Sequence, residues 1–365
     1  MKPIGLALAA LAVTTVHAEA GGIDRSTLPY ALLFEKGSVA ELGFSGVSPN
    51  VSGSLATLGG PLATGDMAES YTTLTFAFKA DINDRLAYAI IVNQPYGADS
   101  NYKSGAYTGL EAHWSSEQVA ALLKYRPSDA VSVYGGLRYE RSSANIVIPP
   151  QMMGGSVYTA KAAADGQIGY VLGAAYEIPK IALRAGITYE SALTHKFSTT
   201  EVFAPLGPIP TSTTTIVIPQ SLAFDFQTGI AANTLLFGSA RWSEWSKWQV
   251  TPAAYSQLPF PLGGRITGFD HNVMTYQLGI GRKLNDQFSV FARVSYEKAN
   301  NDTASRLSPT DGMKSIGVGG TWTHDNMKVT GGLEYVKLGD AVDASGTRFS
   351  GNHAVGLGMK VDFAF

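Results

Sequence analysis

The chain has 365 residues, 27 basic side chains against 29 acidic ones, and no cysteine. Without cysteine there is no disulfide framework, thiolate metal site or cysteine nucleophile, and the balanced charge leaves little to hold nucleic acid. Only 15% of residues are charged, against about 25% in an average soluble domain, and 40 glycines are about 11% of the chain against a usual ~7%. With 17 tyrosines and 16 phenylalanines the mean hydropathy is still only +0.04, which suits apolar residues interleaved with small and polar ones.

The N-terminus reads as an address. Lys2 is a short basic region, Ile4–Val13 an apolar run too short to span a bilayer, and Val16-His17-Ala18 a small-x-small cleavage site. Residues 1–18 are therefore expected to be a signal peptide. No later stretch reads as a membrane helix. Val202–Phe224 is uncharged and long enough, but Pro205, Pro208, Pro210 and Pro219 would break it repeatedly, so it reads as a loop leading into a strand.

From residue 38 onward the period is two. In the last segment His353, Val355, Leu357, Met359, Val361, Phe363 and Phe365 alternate with small or charged residues. The same alternation predicts strands near 38–48, 71–81, 85–95, 106–126, 130–143, 158–178, 180–194, 220–230, 234–244, 272–284, 287–299, 313–324, 327–338 and 353–365. Tight turns such as Asp81–Asp84, Ala231–Asn233 and His324–Asn326 alternate with long connections: 49–70, 96–105, 144–157, 195–219, 245–271, 300–312 and 339–352. Short turns at one end and long loops at the other are the pattern of a bacterial outer-membrane barrel. Tyr139-Glu140, Tyr189-Glu190 and Tyr296-Glu297 each end a strand before a long loop, with Tyr335 a looser case. The tyrosines suit an outer aromatic girdle and the glutamates the lumen. Strands in lipid cannot leave edge groups unpaired, so the sheet must close. About fourteen strands enclose more space than side chains fill, so the lumen is plugged or conducts. The expected fold is all-β, a transmembrane antiparallel barrel over 38–365.

Several stretches carry a family resemblance. They are Gly22-Ile23-Asp24-Arg25-Ser26, Leu33-Phe34-Glu35, Pro49-Asn50-Val51-Ser52-Gly53 and Asn93-Gln94-Pro95-Tyr96-Gly97. Further on come Tyr176-Glu177-Ile178-Pro179, Phe226 to Thr234, Arg241-Trp242 and Pro309-Thr310-Asp311-Gly312. In this order the chain resembles the FadL/TodX family of outer-membrane transporters for long-chain fatty acids and other hydrophobic compounds. The resemblance implies a monomeric 14-stranded barrel with an N-terminal hatch, docking in an apolar groove among the outer loops, a lumen pocket, and sideways exit at a kink in the third strand, without ATP or cofactor. It places the protein in the outer membrane of a Gram-negative bacterium, among outer-membrane lipids and lipopolysaccharide. Phe365, with Phe363 and Val361, is similar to the C-terminal signal read by the barrel-assembly machinery. The family's usual hatch is longer and carries an Asn-Pro-Ala motif; here only Glu19–Gly37 precedes the first strand and the motif is absent. The hatch is accordingly placed at 19–37, with Leu28, Pro29, Tyr30, Leu33 and Phe34 as its lumen-filling candidates.

Particular residues follow. Burying a sixteen-carbon chain is worth on the order of 12 kcal/mol at ~0.8 per CH₂, so exit into the bilayer avoids a costly release into water. A side gate needs an interrupted strand. Pro95 lacks an N–H and Gly97 a Cβ, which makes Asn93, Gln94, Pro95, Tyr96 and Gly97 the gate candidates. A carboxylate head in an apolar lumen calls for arginine. By phase Arg138, Arg184 and Arg293 point inward, each near an inward glutamate, so a structural Arg–Glu ladder competes with ligand binding. Outer docking candidates are Ile146 to Ile148 with Met152 and Met153, Phe203 to Ile218, and Trp242, Trp245 and Trp248, which as strand-end tryptophans also suit the girdle.

Three other readings compete. A barrel hydrolase would use His113 and Ser115 with Glu111 on one strand face. A general diffusion porin would need a wet, charged lumen. A soluble secreted β-protein would not explain the sorted loops. Gly279-Ile280-Gly281 and its like lack the strand–loop–helix setting of a phosphate loop. No two of the six histidines have ligand spacing, so no metal is expected.

Overall fold

The computed structural model describes residues 22–259 and 262–365; the expected signal peptide lies outside the described residues. The period-two stretches form fourteen antiparallel barrel strands. They are β1 (Val39–Asn50), β2 (Tyr71–Asn83), β3 in two pieces (Leu86–Asn93 and Gly97–Asn101), β4 (Glu111–Tyr125) and β5 (Val131–Ile148). Next come β6 (Tyr158–Ile178), β7 in two pieces (Leu183–Glu190 and Leu193–Phe203), β8 in two pieces (Ser212–Ile218 and Ser221–Ala231) and β9 (Thr234–Ser243). The wall is completed by β10 (Val273–Lys283), β11 (Phe288–Glu297), β12 (Met313–His324), β13 (Met327–Leu338) and β14 (His353–Ala364). β14 pairs back onto β1, from Val39 opposite Ala364 to Asn50 opposite His353. That seam removes the edge which a membrane sheet cannot leave open.

The alternation sorts the side chains as expected. On β14 Leu357 is 51% exposed on the outer face, while Ala354 and Lys360 are buried inside. Tyr139, Tyr296 and Tyr335 face outward beside buried Glu140, Glu297 and Glu334. Tyr189 faces outward as well, opposite Leu172 and Leu222, half-buried against Tyr170 and with its hydroxyl donating to Gln220 Oε1 at 2.7 Å.

One expected loop is a hairpin. Within 195–219 only about eight residues leave the sheet; β7 and β8 stay paired from Leu193 opposite Ile218 to Thr199 opposite Ser212. Buried Leu193, His195, Phe197 and Thr199 alternate there with exposed neighbours, so this is ordinary wall. Three prolines sit in the hairpin tip and Pro219 at the break between the two pieces of β8. They mark strand ends, where a missing N–H costs nothing.

Residues 22–37 run inside the barrel. A 3₁₀ turn, Tyr30–Phe34, buries Leu32 and Leu33, which with Leu28 pack on inward Ala77, Ala89, Ala120 and Leu122. The alanines leave the room that the turn occupies. Lys79 Nζ donates to the Glu35 and Gly37 carbonyls, both at 2.8 Å, and Lys124 donates to the Leu33 carbonyl. At the other end the long loops fold into a cap. Short strands Ser52–Thr57, Gly60–Asp66, Thr303–Ala304, Ala341–Asp343 and Arg348–Phe349 form one small sheet. Beneath it Tyr102, Tyr107, Ile148, Met153, Tyr158 and Phe349 belong to one buried cluster. Burial works against the Asp343 carboxylate there, but Tyr107, Ser345, the Thr347 N–H and Arg306 hold it below the usual carboxylate range.

A lumen slot, a strap and a side window

Between the cap and the N-terminal segment the upper lumen holds an apolar slot. Its aromatic side is Trp114, Trp248 and Phe269, and its other walls include Ile216, Ala112 and Ala144, with Ile23 of the N-terminal segment. Trp114 and Trp248 meet edge-on at 5.8 Å between ring centroids, and Trp248 and Phe269 lie 5.4 Å apart. The slot has a cavity volume of about 70 Å³. It is therefore narrow as well as apolar. Buried polar groups are ordinarily satisfied, but three of its polar atoms, Trp114 Nε1, Trp248 Nε1 and Thr214 Oγ1, have no hydrogen-bond partner within the protein.

Trp245 and Trp248 thus stand inside the lumen, contrary to a girdle role. Both are buried in one cluster with Ile23, Tyr96, Trp114 and Phe197. Trp242 faces outward, between Leu222 of β8 and Met274 of β10. Sequence reasoning missed Trp114 as a slot residue, while Thr214 falls within the docking candidates Phe203 to Ile218. The signal for Trp114 was present: it is an inward residue in the outer half of its strand.

Ile23 to Ser26 form a strap across the lumen. Asp24 is buried and anchors it to the far wall, 3.2 Å from Arg241 Nη1 and accepting from Trp245 Nε1 at 3.2 Å. Its other side pairs with the break in β3. Arg25 N donates to the Pro95 carbonyl at 2.7 Å, Gly97 N to the Ile23 carbonyl at 2.8 Å, and Asp24 forms an antiparallel bridge with Tyr96. Proline has no N–H to give, so here it serves as an acceptor only. A Cβ on Gly97 would run into the Arg25 side chain, and one on Gly22 into the Trp245 ring. Glycine at both positions is what lets the strap lie close.

The break opens the wall beside it. β2 pairs with β3 only from Phe76 opposite Val92 downward. Above that, Leu74 N reaches the Gln94 side chain at 3.2 Å. The wall closes again where Asn101 N donates to the Met67 carbonyl at 2.8 Å and Glu69 N to the Asp99 carbonyl at 3.2 Å. The window between is filled by Arg25, ion-paired with Asp99 and lying 4.1 Å over the Tyr71 ring. Asn93 braces the lower lip: its Nδ2 donates to Ser26 Oγ at 3.0 Å and its Oδ1 accepts from Gln118 Nε2 at 3.0 Å.

The three inward arginines differ. Arg138 is fully buried below the slot, donating to Gln118 Oε1 at 3.0 Å and to the Ser191 carbonyl at 2.7 Å, with Glu190 at 3.4 Å. Arg293 is buried against Glu334. Both are committed to protein partners, as the ladder reading has it. Arg184 reaches Gln227 Oε1 at 3.2 Å and lies 4.6 Å over the Phe34 ring. It borders both an upper groove with Tyr30 and Tyr134 and the wide periplasmic mouth beside Glu35. Pro29 lines that upper groove too. His113 pairs with Asp99 and Ser115 Oγ lies 3.1 Å from Ser143 Oγ, so the two are not joined as nucleophile and base.

A closed fourteen-stranded wall with an apolar lumen site, an internal strap and an interrupted third strand defines an outer-membrane channel protein. The sequence profile of the outer membrane protein transport protein family (OMPP1/FadL/TodX) matches residues 9–363, and the chain belongs to that family. It is an outer-membrane transport protein and not an enzyme. Among solved structures it is similar to a FadL homologue of Pseudomonas aeruginosa, with 15% identity over 92% of each chain and a TM-score of 0.72. It is also similar to the toluene transporter TodX of Pseudomonas putida (12%, 95% of this chain and 96% of that one, 0.64). The toluene transporter TbuX of Ralstonia pickettii is a further likeness (13%, 94% and 95%, 0.59). At these identities the likeness is one of fold. No curated protein matches the chain in sequence.

Proposed function

We propose that the protein passes small, uncharged hydrophobic molecules inward by diffusion, through the tryptophan-lined slot and out sideways between β2 and β3 into the bilayer. The slot carries this reading. No arginine or lysine lines it; its polar residues are hydroxyls, Asn145 and the two tryptophan N–H groups, with His113 held by Asp99. That chemistry suits a neutral ligand better than a carboxylate, which would need a desolvated cation. The toluene transporters among the similar folds agree with it. Sideways exit follows from the same apolarity: at ~0.8 kcal/mol per CH₂ a ligand leaves more easily into lipid than into water. The strap is then the gate, and Arg25 must leave the window for a molecule to pass.

Long-chain fatty acids are the second reading. Arg184 favours it, as an inward cation bordering a mixed polar and aromatic groove below the strap. Uptake of labelled toluene and of labelled oleate, in an outer-membrane host lacking its own transporter for either, separates the two. Toluene uptake above the empty vector is expected, with the barrel verified by its heat-modifiable mobility. Oleate uptake alone would move the head group to Arg184. No uptake of either by a folded barrel would refute the transport reading.

A further inference from the structure

The lipid-facing surface carries a second feature, independent of the slot. Tyr296 on β11 stands opposite Lys314 on β12, Lys314 opposite Lys337 on β13, and Lys337 opposite His353 on β14. The row lies near the outer ends of these strands. It faces outward, since Met313, Ser315, Val336 and Leu338 on either side are buried. Lys298, just beyond Tyr296, is exposed on the same side.

Directly opposed side chains have Cβ atoms about 4.5–5.5 Å apart, and like charges so placed repel. Among the described residues neither Lys314 nor Lys337 has a carboxylate partner. The carboxylates of this wall, Glu297 and Glu334, are buried in the lumen. The opposite wall is built differently: exposed Arg141 of β5 stands across from exposed Glu117 of β4, a compensated pair. On β12 and β13 two cations are set side by side with no carboxylate partner among the described residues.

What lies beneath identifies the partner. Tyr296 stands in the lysine row itself, and the next row toward the midplane, Val294, Ile316, Tyr335 and Val355, opens an apolar band that continues to Val318, Leu333 and Leu357. Tyr335 is fixed by stacking on His353, 5.8 Å between centroids. Cations flanked by outward tyrosine rings, directly above an apolar band, match a lipid with phosphate at its head and acyl chains below. Ammonium groups bind phosphate as point charges, and a phosphate between two lysines turns their repulsion into attraction.

We propose that the outer ends of β11–β13 form a docking site for a phosphorylated outer-leaflet lipid, with Lys298, Lys314 and Lys337 on the headgroup phosphates and the acyl chains along the apolar band. The experiment compares the full-length barrel with a Lys314→Gln/Lys337→Gln variant in detergent. Native mass spectrometry then counts retained lipopolysaccharide, either intact or dephosphorylated. Retention of the intact lipid should fall about 25-fold in the double variant, at roughly fivefold per lysine. The dephosphorylated lipid should be held weakly by both proteins. In lipid-free detergent the double variant should melt no lower than the parent, because a repulsive pair has gone. Lys314→Arg/Lys337→Arg should restore retention. Equal retention by the parent and the glutamine variant would overturn the site, as would equal retention of the dephosphorylated lipid. Displacement of the lipid by millimolar inorganic phosphate would overturn its assignment to a lipid in favour of a free anion.

Discussion

A buried N–H or O–H left without an acceptor costs about 1–3 kcal/mol, and Trp114, Trp248 and Thr214 carry three such groups in one slot. Their effect on a ligand depends on whether it offers an acceptor. Trp248→Phe keeps a flat apolar ring but removes the N–H. Binding of benzyl alcohol, followed by fluorescence of the remaining tryptophans, should weaken about tenfold, while toluene binding should change less than threefold. An equal loss for both would mean that the ring alone matters. At this scale the sequence was legible up to direction and no further. Period two placed Arg138, Arg184 and Arg293 inside, where they are. It carried no sign that Arg138 would be taken up by Gln118 and the Ser191 carbonyl, because those partners come from other strands. Nor did the spacing of Trp245 and Trp248 tell lumen from girdle. They lie in a loop that folds back inside, where strand phase has no meaning.

Elements were easier to read. The β-strand cores followed from alternation, and Pro95 marked the end of the first piece of β3, but its resumption at Gly97–Asn101 was read as loop. The β7–β8 hairpin was misread because its prolines were counted along the chain, whereas in space they cluster at the tip and at a single break. The strap was not legible at all, since its pairing with β3 joins residues about seventy positions apart. Its proposed gating role is testable at that contact. Asp24 and Tyr96 form an antiparallel bridge whose flanking residues make the hydrogen bonds, the geometry with Cα atoms about 4.5 Å apart, within disulfide reach. Asp24→Cys/Tyr96→Cys, in a chain with no other cysteine, should block uptake when oxidised and recover it on reduction. Uptake unaffected by oxidation, with the bond verified by mass, would mean that the strap does not move. The complementary change, Arg25→Ala, should raise uptake two- to fivefold by clearing the window, while leaving the barrel's heat-modifiable mobility unchanged.

The whole molecule is held by its membrane as much as by its core. Leu357 sits on the outer face near the middle of β14, and an arginine there should cost roughly 2–4 kcal/mol of insertion. The check is the fraction of Leu357→Arg protein that shows heat-modifiable mobility; a normal fraction would contradict the lipid-facing assignment. Barrel closure was legible from the sequence, because lipid forbids an open edge whatever the residues are. The packed cap was not, as its small sheet joins three separate loops. The seam between β1 and β14 also bears on the order of events. It brings Val39 against Ala364 and Ser38 against Phe365, nearly the full length of the chain apart. Contacts so distant in sequence form late. The strap and the 3₁₀ turn precede β1 and start from the periplasmic mouth beside Glu35. The wide mouth at that end leaves them an entrance that the closed wall does not block, so the plug can settle after the last strand has zipped shut.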